Sequence, residues 1–186
     1  MLTTRLLKLF LLEKNNKNRY IEHVNQLIKT PIGKPEKWLI DAAAGIGLDY
    51  SMLSHETTNE LIDHSMKRHG DSIVHGSATI TNIDFAYISD IVKTPDYAIV
   101  GTIRKNSLIN AYAKIYCGIT YIYFEEVLKS RKNKVLRGKT FYKITRPLSF
   151  DEFLNNVTRH NKTDVSKAAF FNAKKNVQTA GGNPGG

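Results

Sequence analysis

The sequence predicts an α+β fold. N-terminal helices precede a roughly four-stranded antiparallel sheet, with further helical segments at both ends of the chain. Three observations carry that expectation. Two segments between residues 57 and 93 start at helix-capping residues and repeat apolar side chains at helical spacing. From Tyr97 to Thr145 the chain is rich in β-branched and aromatic residues broken by short turn signals. After Pro147 the strand signal gives way to a newly capped segment and a Gly/Pro-rich end.

Residues 1–30 read as helical, split by Asn15, Asn16 and Asn18, with Leu2, Leu6, Leu9 and Phe10 on one face. The run Leu6–Leu12 is interrupted by Lys8, is far shorter than the ~20 residues of a membrane span, and has no small-residue cleavage site after it. A short amphipathic helix is expected there, with no membrane insertion and no secretory signal. Pro31, Gly33 and Pro35 mark a turn or linker, and Glu36–Ala44 reads as a helix ended by Gly45–Gly47.

Thr57 or Thr58 caps a helix running to about His69. Glu60 sits three residues after Thr57 as in a capping box, and Gly70 is placed for a left-handed end. Thr81 or Asn82 caps a second helix striped by Ile83, Tyr87, Ile88 and Ile91, and Thr94-Pro95 stops it. Strands are expected over Tyr97–Ile103, Ile109–Tyr116, Thr120–Leu128 and Lys139–Thr145, most simply with helices on one face of the sheet. Ser149 with Glu152 forms a capping box for a C-terminal helix, Val165–Val177 is Ala- and Lys-rich, and TAGGNPGG is a tail.

Composition bounds the function classes. There are 27 Lys+Arg against 17 Asp+Glu, a formal charge of +10, which suits polyanions and equally suits a solvated basic surface. The single cysteine, Cys117, cannot make an internal disulfide, and its apolar surroundings place it in the core. No glycine-rich phosphate loop and no zinc spacing appears. Glu125 and Glu126 are adjacent, so on a strand they point to opposite faces and cannot share one metal. No metal and no cofactor is expected.

The chemistry-bearing residues cluster in two places. His64 and His69 are five apart, about 140° around a helix, which is wrong for a two-histidine metal site but open to acid and base roles. On pattern alone they read first as one buried structural histidine and one histidine favoured, when protonated, by the helix C-terminus. Lys114 lies among small and apolar residues on a strand, and Thr140 and Tyr142 share a face of the last strand. Lys, Thr and Tyr on one sheet face would suit phosphodiester chemistry, and are also an ordinary wet face.

The ordered pieces IDHSMKRHG, ITNIDFAYISDIVKTPDYAIVG, INAYAKIYCGITYIYFEEVL and LRGKTFYKI resemble the phage-associated barnase/EndoU/colicin/RelE-like nuclease families over about residues 58–145. The resemblance implies a two-helix, four-strand nuclease fold that cuts RNA without metal by 2′-hydroxyl attack, leaving a 2′,3′-cyclic phosphate. It makes His64 and His69 the base and acid, has Lys114 stabilise the phosphorane, and has Thr140 and Tyr142 hold the phosphate or the substrate hydroxyl. Arg104, Arg137 and Lys139 are candidate phosphate binders on charge. His75 is a further candidate, and Ser77 departs from the charged stretch expected at the site's lip. The implied organisation is a helical extension at 1–35, a nuclease-like domain at 36–147 and a helical extension with its tail at 148–186.

Two further readings stand beside an RNA-cutting enzyme, free in the host cytoplasm or carried in a virion. One is a catalytically inactive virion or nucleic-acid-binding protein that packs against phage head proteins. The other is a toxin paired with an acidic immunity protein, which the charge would suit. Convergence of His64, Lys114 and Thr140 on one cleft would favour the enzyme, and their scatter the binding protein.

Overall fold

The computed structural model describes residues 27–70, 77–130, 134–160 and 162–173. In chain order they form β1 (Lys29–Gly33), α1 (Lys37–Ala44), β2 (Ser54–Thr58), α2 (Asn59–His69) and β3 (Ser77–Ala78). A 3-10 helix (Asn82–Tyr87) runs into α3 (Ile88–Lys93), followed by β4 (Tyr97–Arg104), β5 (Ser107–Tyr116), β6 (Ile119–Lys129) and β7 (Lys134–Ile144). Last come α4 (Phe150–Asn155), a π-helical turn (Asn156–His160) and β8 (Ala169–Asn172). The helix expected before residue 27, His75 and the C-terminal tail lie outside the described residues.

The expected four-strand ladder exists as β4 to β7, each antiparallel to the next. The sheet is larger than expected, with order β1-β2-β7-β6-β5-β4-β8 and β3 also on β7, and it is mixed, because β2 runs parallel to β7. Residues 30–33, read as a turn, belong to β1, where Pro31 is tolerated because the strand is an edge. The C-terminal stretch read as helical contributes β8. Phe171 and Phe170 point to opposite faces, against Trp38 at 4.6 Å and Phe150 at 6.1 Å, a period of two that the Ala/Lys composition concealed.

Register sorts the side chains into two faces. Ala98, Tyr112, Tyr123 and Phe141 pair across one. Trp38 of α1 (6.2 Å from Tyr112) and Phe85 of the 3-10 helix (5.4 Å from Phe141) pack there. The opposite face carries Tyr97, Ala111, Phe124 and Thr140, and α4 packs on it through Phe150 and Phe153, 5.7 and 6.1 Å from Tyr97. Helices thus cover both faces where one was expected, because the C-terminal helix takes the side the first three leave open.

Local chemistry sets the ends. Thr58 caps α2, its Oγ1 accepting the Leu61 N–H at 3.3 Å. The box anticipated from Thr57 does not form, and Glu60 instead sits in the first turn. Gly70 stays right-handed, at φ −80°, not left-handed. Asp84 accepts from the Thr81 N–H at 2.7 Å, and Ser149 and Glu152 cap each other at 2.8 and 3.3 Å. Lys105 and Asn106 (φ +47° and +67°) make the two-residue turn between β4 and β5. Cys117 and Gly118 (φ +48° and +80°) make the one between β5 and β6, so Cys117 is exposed at a hairpin tip, not buried.

Beneath the first face lies a buried polar group. His55 Nδ1 is 2.8 and 3.0 Å from the two oxygens of Glu125, and Tyr112 donates to the same carboxylate at 2.8 Å, with all three residues essentially inaccessible. Burial and the adjacent carboxylate push the Tyr112 hydroxyl well above its ordinary pKa. Asn110 Oδ1 accepts from Tyr50 at 3.1 Å and from the Gly101 N–H at 3.0 Å, holding the β4 bulge where Gly101 adopts φ +78°.

Glu125→Leu leaves the partners on His55 and Tyr112 unmatched in the interior, so a loss of roughly 3–5 kcal/mol is expected. Glu126→Gln, one residue away on the wetter face, should cost less than about 1 kcal/mol. Urea unfolding of the two variants checks the contrast, and equal losses would refute it.

Candidate active site

The edge of β7 is shared by three elements. Residues 135–137 pair with β2 and 143–144 with β3. Between them α2 lies along the strand, with Ser65 Oγ accepting the Phe141 N–H at 3.2 Å. Leu61 turns toward the first face, lying against Gly138, where an added methyl would stand 2.8 Å from its Cδ2. The two histidines border the second face. His69 stacks on Tyr142 with ring centroids 5.3 Å apart, and Tyr142 stacks in turn on Phe124 at 6.3 Å.

Both histidines are held below the ordinary imidazole pKa. For His64 the causes are partial burial, then the charges of Arg68, Lys139 and Arg104. For His69 they are partial burial, then His64 and Arg68. The helix C-terminus was expected to favour protonated His69. Desolvation and its cationic neighbours outweigh it.

Lys139 reaches this group through an irregularity. Phe124 faces Thr140 while Glu125 faces Gly138, so Lys139 is an extra residue in β7, a bulge that re-aims its side chain. Its ammonium lies 3.3 Å from Glu126, whose other oxygen accepts from Ser107 at 2.6 Å. The Ser107 hydroxyl and the charges of Lys139 and Arg137 hold the Glu126 carboxyl below its ordinary pKa despite its burial. Arg104 is cross-strand from Ser107 beside the Lys105–Asn106 turn. Arg137 bonds Glu56 of β2 at 2.9 Å. Thr140 is half-buried on the same face, and the Tyr142 hydroxyl bonds Asn156.

Of the residues expected from sequence, His64, His69, Thr140, Tyr142, Arg104, Arg137 and Lys139 therefore gather on one side of the sheet. Lys114 does not. It pairs with Tyr121, which pairs with Lys143, on the opposite face, and its ammonium bonds the carbonyl and hydroxyl of Thr94 at the end of α3. The sequence reading missed Arg68, Ser107 and Glu126. Arg68 was within reach, one helical turn after His64. Ser107 and Glu126 meet only through the β5–β6 register. Among the described residues no three His, Cys, Asp or Glu side chains gather to hold a metal ion, and no helix is long and apolar enough to cross a membrane.

A mixed sheet with a helix sealing its open edge carries two histidines among three cations, Arg68, Arg104 and Lys139, and the fold class is that of a nuclease domain of the barnase/EndoU/colicin/RelE type by its family match. The family model described as phage-Barnase-EndoU-ColicinE5/D-RelE like nuclease 3 matches residues 33–149, more than half of the sequence, and the chain belongs to that family. No curated protein and no solved structure matches it.

The electrostatics make a separable prediction. Arg68→Met removes a positive neighbour of both histidines and should raise the pKa of each. Lys139→Met should raise that of His64 alone. Imidazole NMR titrations check it, and parallel shifts in both variants would contradict the arrangement.

Proposed function

We propose that the protein is a metal-independent endoribonuclease, phage- or toxin-associated, with RNA as its substrate. The observation that supports it is the gathering on one side of the sheet of His64, near Arg68, Lys139 and Arg104, and of His69, near His64 and Arg68 and stacked on Tyr142. One histidine takes the proton of the 2′-hydroxyl as its oxygen attacks the adjacent phosphorus. The other protonates the departing 5′-oxygen as the P–O5′ bond breaks. The products are a 2′,3′-cyclic phosphate and a 5′-hydroxyl end. Lys139 and Arg104 offset the charge that builds on the phosphorane, a role Lys114 is too far round the sheet to fill, and Thr140 and Tyr142 border the phosphate.

Incubation with total RNA and a tRNA pool in EDTA should give discrete cuts with cyclic ends. His64→Ala, His69→Ala and Lys139→Ala should each lose at least about 100-fold in rate. A larger loss in Lys114→Ala than in Lys139→Ala would move the site to the other face. Intact RNA with a well-folded wild type would favour the inactive virion or nucleic-acid-binding reading.

The pH profile follows from the depressed histidines. The acid must carry its proton, so cleavage falls as pH rises through a pKa below the ordinary value of about 6.5. The base must be neutral, so cleavage also falls at still lower pH. The optimum of kcat/KM should lie on the acid side of neutrality. Lys139→Met should move the limb that His64 controls to higher pH, and an optimum above pH 7 would contradict this assignment.

A further inference from the structure

Glu126 is a negative charge set among the cations of a face that otherwise suits phosphate. Its carboxylate is about one-fifth exposed, anchored by Ser107 at 2.6 Å and by Lys139 at 3.3 Å, with Arg137 directly across the strand pair. The neighbouring carboxylate, Glu56, is taken up by Arg137 at 2.9 Å. Glu126 thus stands between the cations that border His64 and the Arg137–Glu56 pair. A phosphate seated on Lys139 lies within a few ångströms of this fixed charge. Each negative charge on that phosphate feels the repulsion of the carboxylate in full, so a dianion loses about twice what a monoanion loses to Glu126.

We infer that Glu126 is a specificity-determining residue that selects a singly charged internal phosphodiester over a doubly charged terminal phosphate. The selection works by like-charge repulsion at the Lys139 position. This rests on the proposed phosphate site. It goes beyond that site, whose reaction already takes an internal linkage, by naming the residue that turns away a phosphorylated end. Ser107 is the positioning residue, because its hydroxyl keeps the carboxylate aimed along the strand while Lys139 turns to the ligand.

The test is binding, not turnover. The full chain is titrated at pH 8 with inorganic phosphate, mostly a dianion there, and separately with a short 2′-deoxy oligonucleotide lacking terminal phosphates. Calorimetry and the shift of the His64 ring signal are the readouts. Glu126→Gln keeps the hydrogen bond to Ser107 and the shape. It should tighten inorganic phosphate by roughly tenfold and the oligonucleotide by a smaller factor, while Lys139→Met weakens both. Equal gains for the two ligands, or no gain for phosphate, overturn the inference while leaving the phosphate site in place. Binding of neither ligand by the folded wild type, with no movement of the His64 signal, overturns both. Should Glu126→Gln fail to fold, Ser107→Ala with circular dichroism as a control reads the same contrast in weaker form, and an unchanged ratio of the two affinities there overturns the inference.

Discussion

The hydrogen bond from the Phe141 N–H to Ser65 Oγ is the joint on which the site depends. Among the described residues the middle of β7 has no strand beyond it, and an unpaired edge amide in a sheltered place is costly. A helix with a small hydroxyl residue at the right turn closes that gap, and closing it fixes the rotation of α2. With Ser65 on the strand, Leu61 falls on the core side and His64 and Arg68 fall on the other. The same contact therefore builds core and site together.

The two glutamates of β6 divide the labour in a similar way. Alternation sends Glu125 into the core, where His55 and Tyr112 hold it, and Glu126 to the face with Ser107 and Lys139. The buried trio ties β2, β5 and β6 into one block, so the outward carboxylate stands on a rigid support. Breaking the trio would disturb both.

Much of this was legible in the residues. Pattern and capping chemistry located α2 and the strands β4 to β6 closely, found β7 only from Lys139 where it starts at Lys134, and read one helix where a 3-10 helix runs into α3, while the adjacency of Glu125 and Glu126 already required opposite faces. The elements that escaped are those whose cause is tertiary. β1 and β8 are short edge pieces formed from stretches whose local signals, Pro31 and Gly33 or Ala and Lys, favour turns and helices. They become strands because β2 and β4 offer free edges. Cys117 looked buried because its neighbours are apolar, but a two-residue turn lifts it into solvent. In the site, the histidines were visible as residue types. The grouping of Lys139 with His64, and the exclusion of Lys114, depend on strand register, which a single sequence does not disclose.

The extra residue at Lys139 has a consequence for how this chain can change over time. With Lys139 removed, Thr140 would still pair with Phe124 and Gly138 with Glu125, so Leu136 keeps its place in the core, Arg137 its place on the site face and Gly138 its close approach to Tyr123. What is lost is the ammonium that the bulge sets beside Glu126. A single-codon deletion here therefore spares the core and strikes the site alone, so descendants of this gene freed from the need for that cation can shorten β7 by one residue and still fold.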